Sequence, residues 1–151
     1  MQNYTIRRLK LYDAINLFNL FRDISEEDKK FFHPHNFTYE DSVKVCTLSD
    51  QSLDKYYVIT NEVDDIIGYG MLRGWNEGYE IPMLGIYLNP SARGKGLAER
   101  LILYMVNTNI LVRIRLKVRM ENIAAIKLYK KLGFKKLDYS NNYLIMEYWK
   151  E

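Results

Sequence analysis

Cysteine, histidine and proline are scarce in this chain, and each shortage excludes something. Cys46 is its one cysteine, so no disulfide can form within the chain. A small buried apolar side chain is the expected role for that thiol, ahead of a reactive one. His33 and His35 are the only histidines, and with Cys46 they give no convincing metal-ligand spacing, so no metal is expected. Three prolines, no Ser/Gly-rich stretch and no internal repeat leave no visible linker. Residues 1–151 are therefore expected to form one domain, large enough to bury a core without disulfides or metal. No apolar run approaches the roughly 20 residues of a membrane span. The opening MQNYTIRRLK has no apolar signal-peptide core. The expectation is an intracellular, cytoplasmic protein with no membrane partner. Neither sign of charge prevails: 22 basic residues face 19 acidic ones, for a net +3. That balance argues against nucleic acid as a partner.

Apolar and aromatic residues are plentiful instead. The hydrophobic share is 48%, with 13 tyrosines, so aromatic rings must carry packing or line a cleft. Periodicity places the elements. Residues 4–10 read as a strand, and 11–23 as a helix with Asp13 near its positive end. Ser25 can cap a short helix that Pro34 terminates, and 39–49 suggests another. Strand-like runs follow at 56–60, 66–73 and 80–88, the first two as a hairpin. Then come a helix at about 95–109, a strand near 112–119, and a helix at 122–132 between the cap Asn122 and the stop Gly133. Strands at about 134–139 and 143–149 complete the order. It predicts a mixed α/β sheet with a parallel strand–helix–strand crossover from 80 to 119. In the strand near 112–119, Arg113, Arg115, Lys117 and Arg119 alternate with Val112, Ile114, Leu116 and Val118. One face is basic and the other apolar. The basic face reads most simply as solvated; a nucleic-acid patch, or one or two of its residues beside an acidic ligand, are the other readings.

The most informative segment is Arg93-Gly94-Lys95-Gly96-Leu97-Ala98, between a strand-like and a helix-like run. A glycine-punctuated turn leaves backbone N–H groups free at a helix N-terminus, which suits phosphate. Arg93 and Lys95 add positive charge there. Taken alone, a helix-opening turn with exposed basic side chains explains the segment equally well.

A second block, Asn122-Ile-Ala-Ala125-Ile-Lys-Leu-Tyr129-Lys-Lys-Leu-Gly133-Phe134, lies downstream. With both blocks in this order, the chain resembles the GNAT superfamily of acetyl-CoA-dependent N-acetyltransferases. Residues 93–98 fit its pattern Gln/Arg-x-x-Gly-x-Gly/Ala, and 122–134 fit Asn-x-x-Ala-x-x-x-Tyr-x-x-x-Gly-Phe. The resemblance implies an α/β (α+β) fold. Its sheet is mixed and mostly antiparallel, flanked by helices, with a splayed parallel strand pair that binds the cofactor. It implies acetyl-CoA as acyl donor, its pyrophosphate held by Arg93, Gly94, Lys95, Gly96, Leu97 and Ala98. The pantetheine arm would run along Ile86, Tyr87 and Leu88. Asn122 is either a helix cap or a CoA contact. Gly85 and Pro82 suggest a bulge that opens the splay, or a simple bend. Tyr129 would protonate the leaving thiolate; by spacing alone it lies on a packing face with Ala125, Leu128 and Leu132.

The reaction so implied is direct attack by a primary amine through a tetrahedral intermediate, with no metal. An alkylammonium must first lose a proton, and Glu80, at the start of its strand, is the first candidate base. Glu77 is second, and His33 and His35 are a third option; each also reads as an ordinary surface or loop residue. The stretch from Arg73 to Pro82 is similar to a bacterial subgroup associated with surface-sugar synthesis. That suggests a small-molecule amine acceptor, an amino sugar or a nucleotide-linked one, with Trp75, Tyr79 and Phe32 stacking on it or merely packing. Peptide or protein N-termini and polyamines are alternatives, and a non-catalytic CoA-binding module is the rival class. Relatives commonly dimerise, so the resemblance allows a homodimer.

Overall fold

The structure, a computed structural model, describes residues 2–150. Its strands are β1 (Thr5–Arg8), β2 (Lys55–Thr60), β3 (Ile66–Arg73), β4 (Met83–Leu88), β5 (Arg113–Arg119), β6 (Lys135–Ser140) and β7 (Tyr143–Trp149). The helices are α1 (Ala14–Arg22), α2 (Glu26–Phe31), α3 (Tyr39–Gln51), α4 (Leu97–Thr108) and α5 (Ile123–Lys131). The seven strands form one sheet in the order β1-β2-β3-β4-β5-β7-β6. Every neighbouring pair is antiparallel except β4 and β5, which run parallel and are joined through α4. This is the mixed, mostly antiparallel α/β architecture that the sequence predicted.

Alternation along each strand divides the core in two. One cluster, with Leu84, Leu101, Ile114, Leu116 and Tyr129, lies under α4 and α5. The other, with Phe21, Val45, Tyr69, Met71 and Tyr87, lies under α1 and α3. Strand β2 is covered on both faces, which is why YYVIT is apolar without alternation. Cys46 sits in the second cluster, and burial pushes its thiol up to about 12, as suits a packing residue. No helix among the described residues is long and apolar enough to cross a membrane.

Three local readings need correction. The helix expected over 11–23 starts instead as a 3-10 turn, Leu11–Asp13, before α1. Asp13 is only 1% exposed and is not a dipole partner. Its carboxylate accepts two bonds from the Arg7 guanidinium at 2.8 Å and one from the Lys10 N–H at 2.7 Å. A buried carboxylate is tolerated because donors surround it. Second, the strand expected from Glu80 begins at Met83. A 3-10 turn, Trp75–Glu77, and a bend place Glu80 in the connection, not in the strand. Third, Gly85 makes no bulge: it pairs with Met71 in an unbroken register. A Cβ there would meet Met71 Cγ at 3.0 Å, so the Met71 side chain packs closely over the glycine. Pro82 does not disturb the sheet either; its carbonyl accepts from Arg115 N–H at 3.0 Å.

Candidate functional site

Strands β4 and β5 touch only at their start. Met83 pairs with Arg115 and Leu84 with Leu116, and the ladder then stops. Beyond it the two strands form a fork. The register of β4 against β3 says which backbone groups face that gap. Asn89 N–H donates to Ile67 O at 2.8 Å, so Gly68 and Leu88 are a non-hydrogen-bonded pair. By alternation Gly70 and Ile86 are another. Ile86 and Leu88 therefore turn their N–H and C=O groups toward β5, into the fork. Tyr87 does not: its backbone pairs with Tyr69, and its ring is buried in the opposite cluster, stacked on Phe32 at 5.5 Å.

The chain leaves the fork through a 3-10 turn, Pro90–Ala92, and reaches the glycine segment. Gly94 and Gly96 both have φ +75°, a left-handed conformation that glycine adopts without penalty. The first helical bond of α4 is Arg100 N–H to Gly96 O. Among the described residues, the N–H groups from Gly94 to Ala98 find no backbone acceptor. A Cβ on Gly94 or Gly96 would meet nothing within 4 Å. Successive free N–H groups, open space and a helix N-terminus make an anion cradle. Leu97 is buried and Ala98 half-buried, so both offer backbone there, not side chain.

The charged side chains of this segment point elsewhere. The Arg93 guanidinium donates to Asp28 Oδ2 at 2.8 Å and to the Leu88 carbonyl at 3.0 and 3.2 Å. Tyr87 OH donates to the same Asp28 oxygen at 3.1 Å. Burial, then that bond, pushes the Tyr87 phenol up to about 12. Arg93 thus ties α2 to the tip of β4. Lys95 Nζ reaches Gln2 Oε1 at 3.0 Å and Tyr4 OH at 3.2 Å. Asp28 was not legible as a site residue, because nothing in its local sequence marks a partner so distant. Arg93→Ala is expected to cost about 1 kcal/mol of stability, since the pair is partly exposed. Acetyl-CoA affinity should fall less than about threefold by calorimetry, as the side chain is already engaged.

Asn122 caps α5, accepting from Ala125 N–H at 3.4 Å. Its helix carries Tyr129, 8% exposed, into the cluster under α4 and α5, where Ile86 and Leu88 also pack. The ring lies 5.7 Å from Phe134. Burial alone pushes its phenol up to about 12, and the hydroxyl bonds to no other described residue. Near neutral pH it therefore keeps its proton and can serve as an acid.

The residues proposed for the acceptor are scattered. Glu77 and Glu80 are exposed in the β3–β4 connection, at the closed end of the fork. Trp75 and Tyr79 line a concave surface of about 380 Å³ with Leu53, Lys55, Gly78 and Asn109. Asn109 follows the C-terminus of α4, so this surface lies a helix length from the glycine turn. His33 is exposed beside Phe37. His35 is packed against Phe21, Phe37 and Tyr69. Its Nδ1 is 2.6 Å from Asn36 O and its Nε2 3.0 Å from Tyr69 OH. A neutral ring donates at the first and accepts at the second. Burial first, and then the Arg73 charge, lowers the His35 pKa below its ordinary value, against the raising effect of the Asn36 bond. The unfolded chain then binds the proton more readily, so stability is full above about pH 6.5 and falls as the pH drops below it. Thermal melts should show a loss between about pH 7 and pH 5 that is smaller in His35→Gln.

The family model "Acetyltransferase (GNAT) family" matches residues 15–134, which includes the fork, the glycine turn and Tyr129. No curated protein matches the chain in sequence. Among solved structures, an acetyltransferase of the GNAT family from Streptococcus pneumoniae is similar, with TM-score 0.80 at 20% identity over 99% of this chain and 100% of that one. Ribosomal-protein-S5-alanine acetyltransferase from Vibrio fischeri gives 0.78 at 20% identity, over 100% and 95%. Spermidine N-acetyltransferase from Vibrio cholerae, in complex with CoA and spermine, gives 0.76 at 20%, over 97% and 95%. At such identities the likeness is one of fold.

Proposed function

The chain belongs to the GNAT family of acetyltransferases, and from that premise we propose that its 151 residues act as one unit that acetylates a primary amine. The observation that carries the reading is the row of free N–H groups from Gly94 to Ala98, continuous with the unpaired edge of β4. A pyrophosphate needs the first, and the two amides of a pantetheine arm can use the second as an added strand. The group fits the residues present, because a Cβ-free space lies in front of the cradle.

Acetyl-CoA supplies an acyl carbon activated as a thioester; the amine nitrogen bonds to that carbon and the carbon–sulfur bond breaks. Backbone from Gly94 to Ala98 anchors the donor. Ile86 and Leu88 hold its arm, and an N–H at the fork stabilises the developing oxyanion. Tyr129 gives its proton to sulfur. The proton shed by the amine nitrogen returns to Tyr129 through solvent, so charge balances. Bringing the two reactants together accounts for much of the rate.

For the acceptor, the likeness of Arg73–Pro82 to a surface-sugar subgroup favours an amino sugar or a nucleotide-linked amino sugar. Solved relatives named for spermidine and for a ribosomal protein keep polyamines and protein N-termini in the panel. Calorimetry with acetyl-CoA tests the cradle, and thiol release with the panel tests transfer. Tight binding without thiol release from any amine would favour a non-catalytic CoA-binding module.

A further inference from the structure

The fork has two faces, and the strands fix what stands on each. Leu84, Ile114, Leu116 and Val118 face α4 and α5. Met71 and Tyr87 face the other way, toward α1 and α3. By the strand pairings, Arg73, Met83, Arg115 and Glu147 lie in one row on that second face. Lys117 is two residues farther along β5, past the last β4–β5 pair. The core under α1 and α3 ends at β4, so Arg113, Arg115, Lys117 and Arg119 are half-buried or exposed.

Charge on this face is unequal. Glu147 accepts from Arg113 at 2.9 Å and from Arg115 at 2.6 Å, so one carboxylate serves two guanidiniums. Arg119 is paired with Glu121. Arg73 donates to the Pro34 carbonyl at 3.0 Å, which leaves its charge uncancelled. Lys117 has no carboxylate partner among the described residues; its ammonium stands 4.4 Å from the centre of the Tyr143 ring. Across the fork, Gly85 carries no side chain and the Met71 side chain packs over it.

We propose that this cationic face, centred on Lys117, is the acceptor side of the fork and selects amines that carry an anionic group. The chemistry it recognises is a phosphate or a carboxylate close to the amine. The inference rests on the transferase reading above and names its substrate class. An anion there gains Coulomb attraction from Lys117, Arg115 and Arg73, while a polycation is repelled by the same field.

The test is kcat/KM with matched amines: glucosamine against glucosamine 1-phosphate, propylamine against β-alanine, and spermidine. The two pairs separate phosphate from carboxylate. At least one anionic member should exceed its neutral partner by about tenfold or more, with spermidine lowest, and the preference should shrink with salt. Lys117→Glu should reverse the ranking. In calorimetry on CoA-loaded protein, that variant should bind glucosamine 1-phosphate at least about tenfold more weakly than the parent. Turnover with no preference for anionic members, a preference for spermidine, or an unchanged ranking in Lys117→Glu overturns this inference and leaves the transferase reading intact. Absence of turnover with every amine overturns both.

Discussion

Gly96→Val is expected to weaken acetyl-CoA binding by at least about 100-fold, or about 2.7 kcal/mol. Gly96 has φ +75° and ψ 12° at the residue just before α4. A β-branched residue pays roughly 1–2 kcal/mol to stay left-handed. No protein atom lies within 4 Å of the added Cβ, so the folded chain accommodates the side chain without a clash. The valine therefore occupies the side on which a pyrophosphate must approach the N–H groups, or it relaxes the turn and misaims them. Either outcome removes binding. Gly96→Ala, with a single methyl, should fall between valine and glycine. Calorimetry checks affinity and a thermal melt checks the fold. Parent-like affinity in Gly96→Val would refute the placement of the cradle.

Tyr129→Phe should lower kcat by about 10²–10⁴-fold, the usual range for removing a general acid. Acetyl-CoA affinity should hold. The reason for expecting so clean a separation is structural. The hydroxyl bonds to no other described residue, so phenylalanine leaves no orphaned partner behind. Stability should therefore change by less than about 0.5 kcal/mol. A phenol near 12 is a weak acid beside a free thiol at about 8.5. The same apolar surroundings penalise a thiolate as well, which narrows that gap. Because burial raises the phenol, Tyr129 stays protonated through neutral and mildly basic pH. A fall in rate on the basic side below about pH 10 must then come from another group. Stopped-flow single turnovers with saturating acetyl-CoA separate chemistry from release. Equal turnover in Tyr129→Phe and the parent would remove Tyr129 as the acid.

Much of the fold was legible because it is written in local chemistry. Ser25 accepts from Asp28 N–H and Thr38 from Asp41 N–H, each capping the helix that follows. Asn122 and Gly133 bound α5 as their residue types require. The errors share one cause. Asp13 was read as a dipole partner because its true partner, Arg7, lies on a neighbouring strand. Gly85 was read as a bulge or a bend because Met71, which packs against it, belongs to another strand. Apart from these, the Arg93 side chain meets Asp28, a partner too far away in sequence for local reading to show.

The sequence by itself determined the order of elements, the glycine turn between strand and helix, and the helix that carries Tyr129. Those depend on periodicity, capping and backbone freedom, which act over a few residues. Only the tertiary structure decided where β4 and β5 part, which of Ile86, Tyr87 and Leu88 face the gap, and that Arg93 is held by Asp28 and the Leu88 carbonyl. It alone also set Lys117 past the last β4–β5 pair, on a face the second cluster leaves uncovered. Strand register and long-range side-chain pairing settle these, because one residue of slip turns every group to the opposite face.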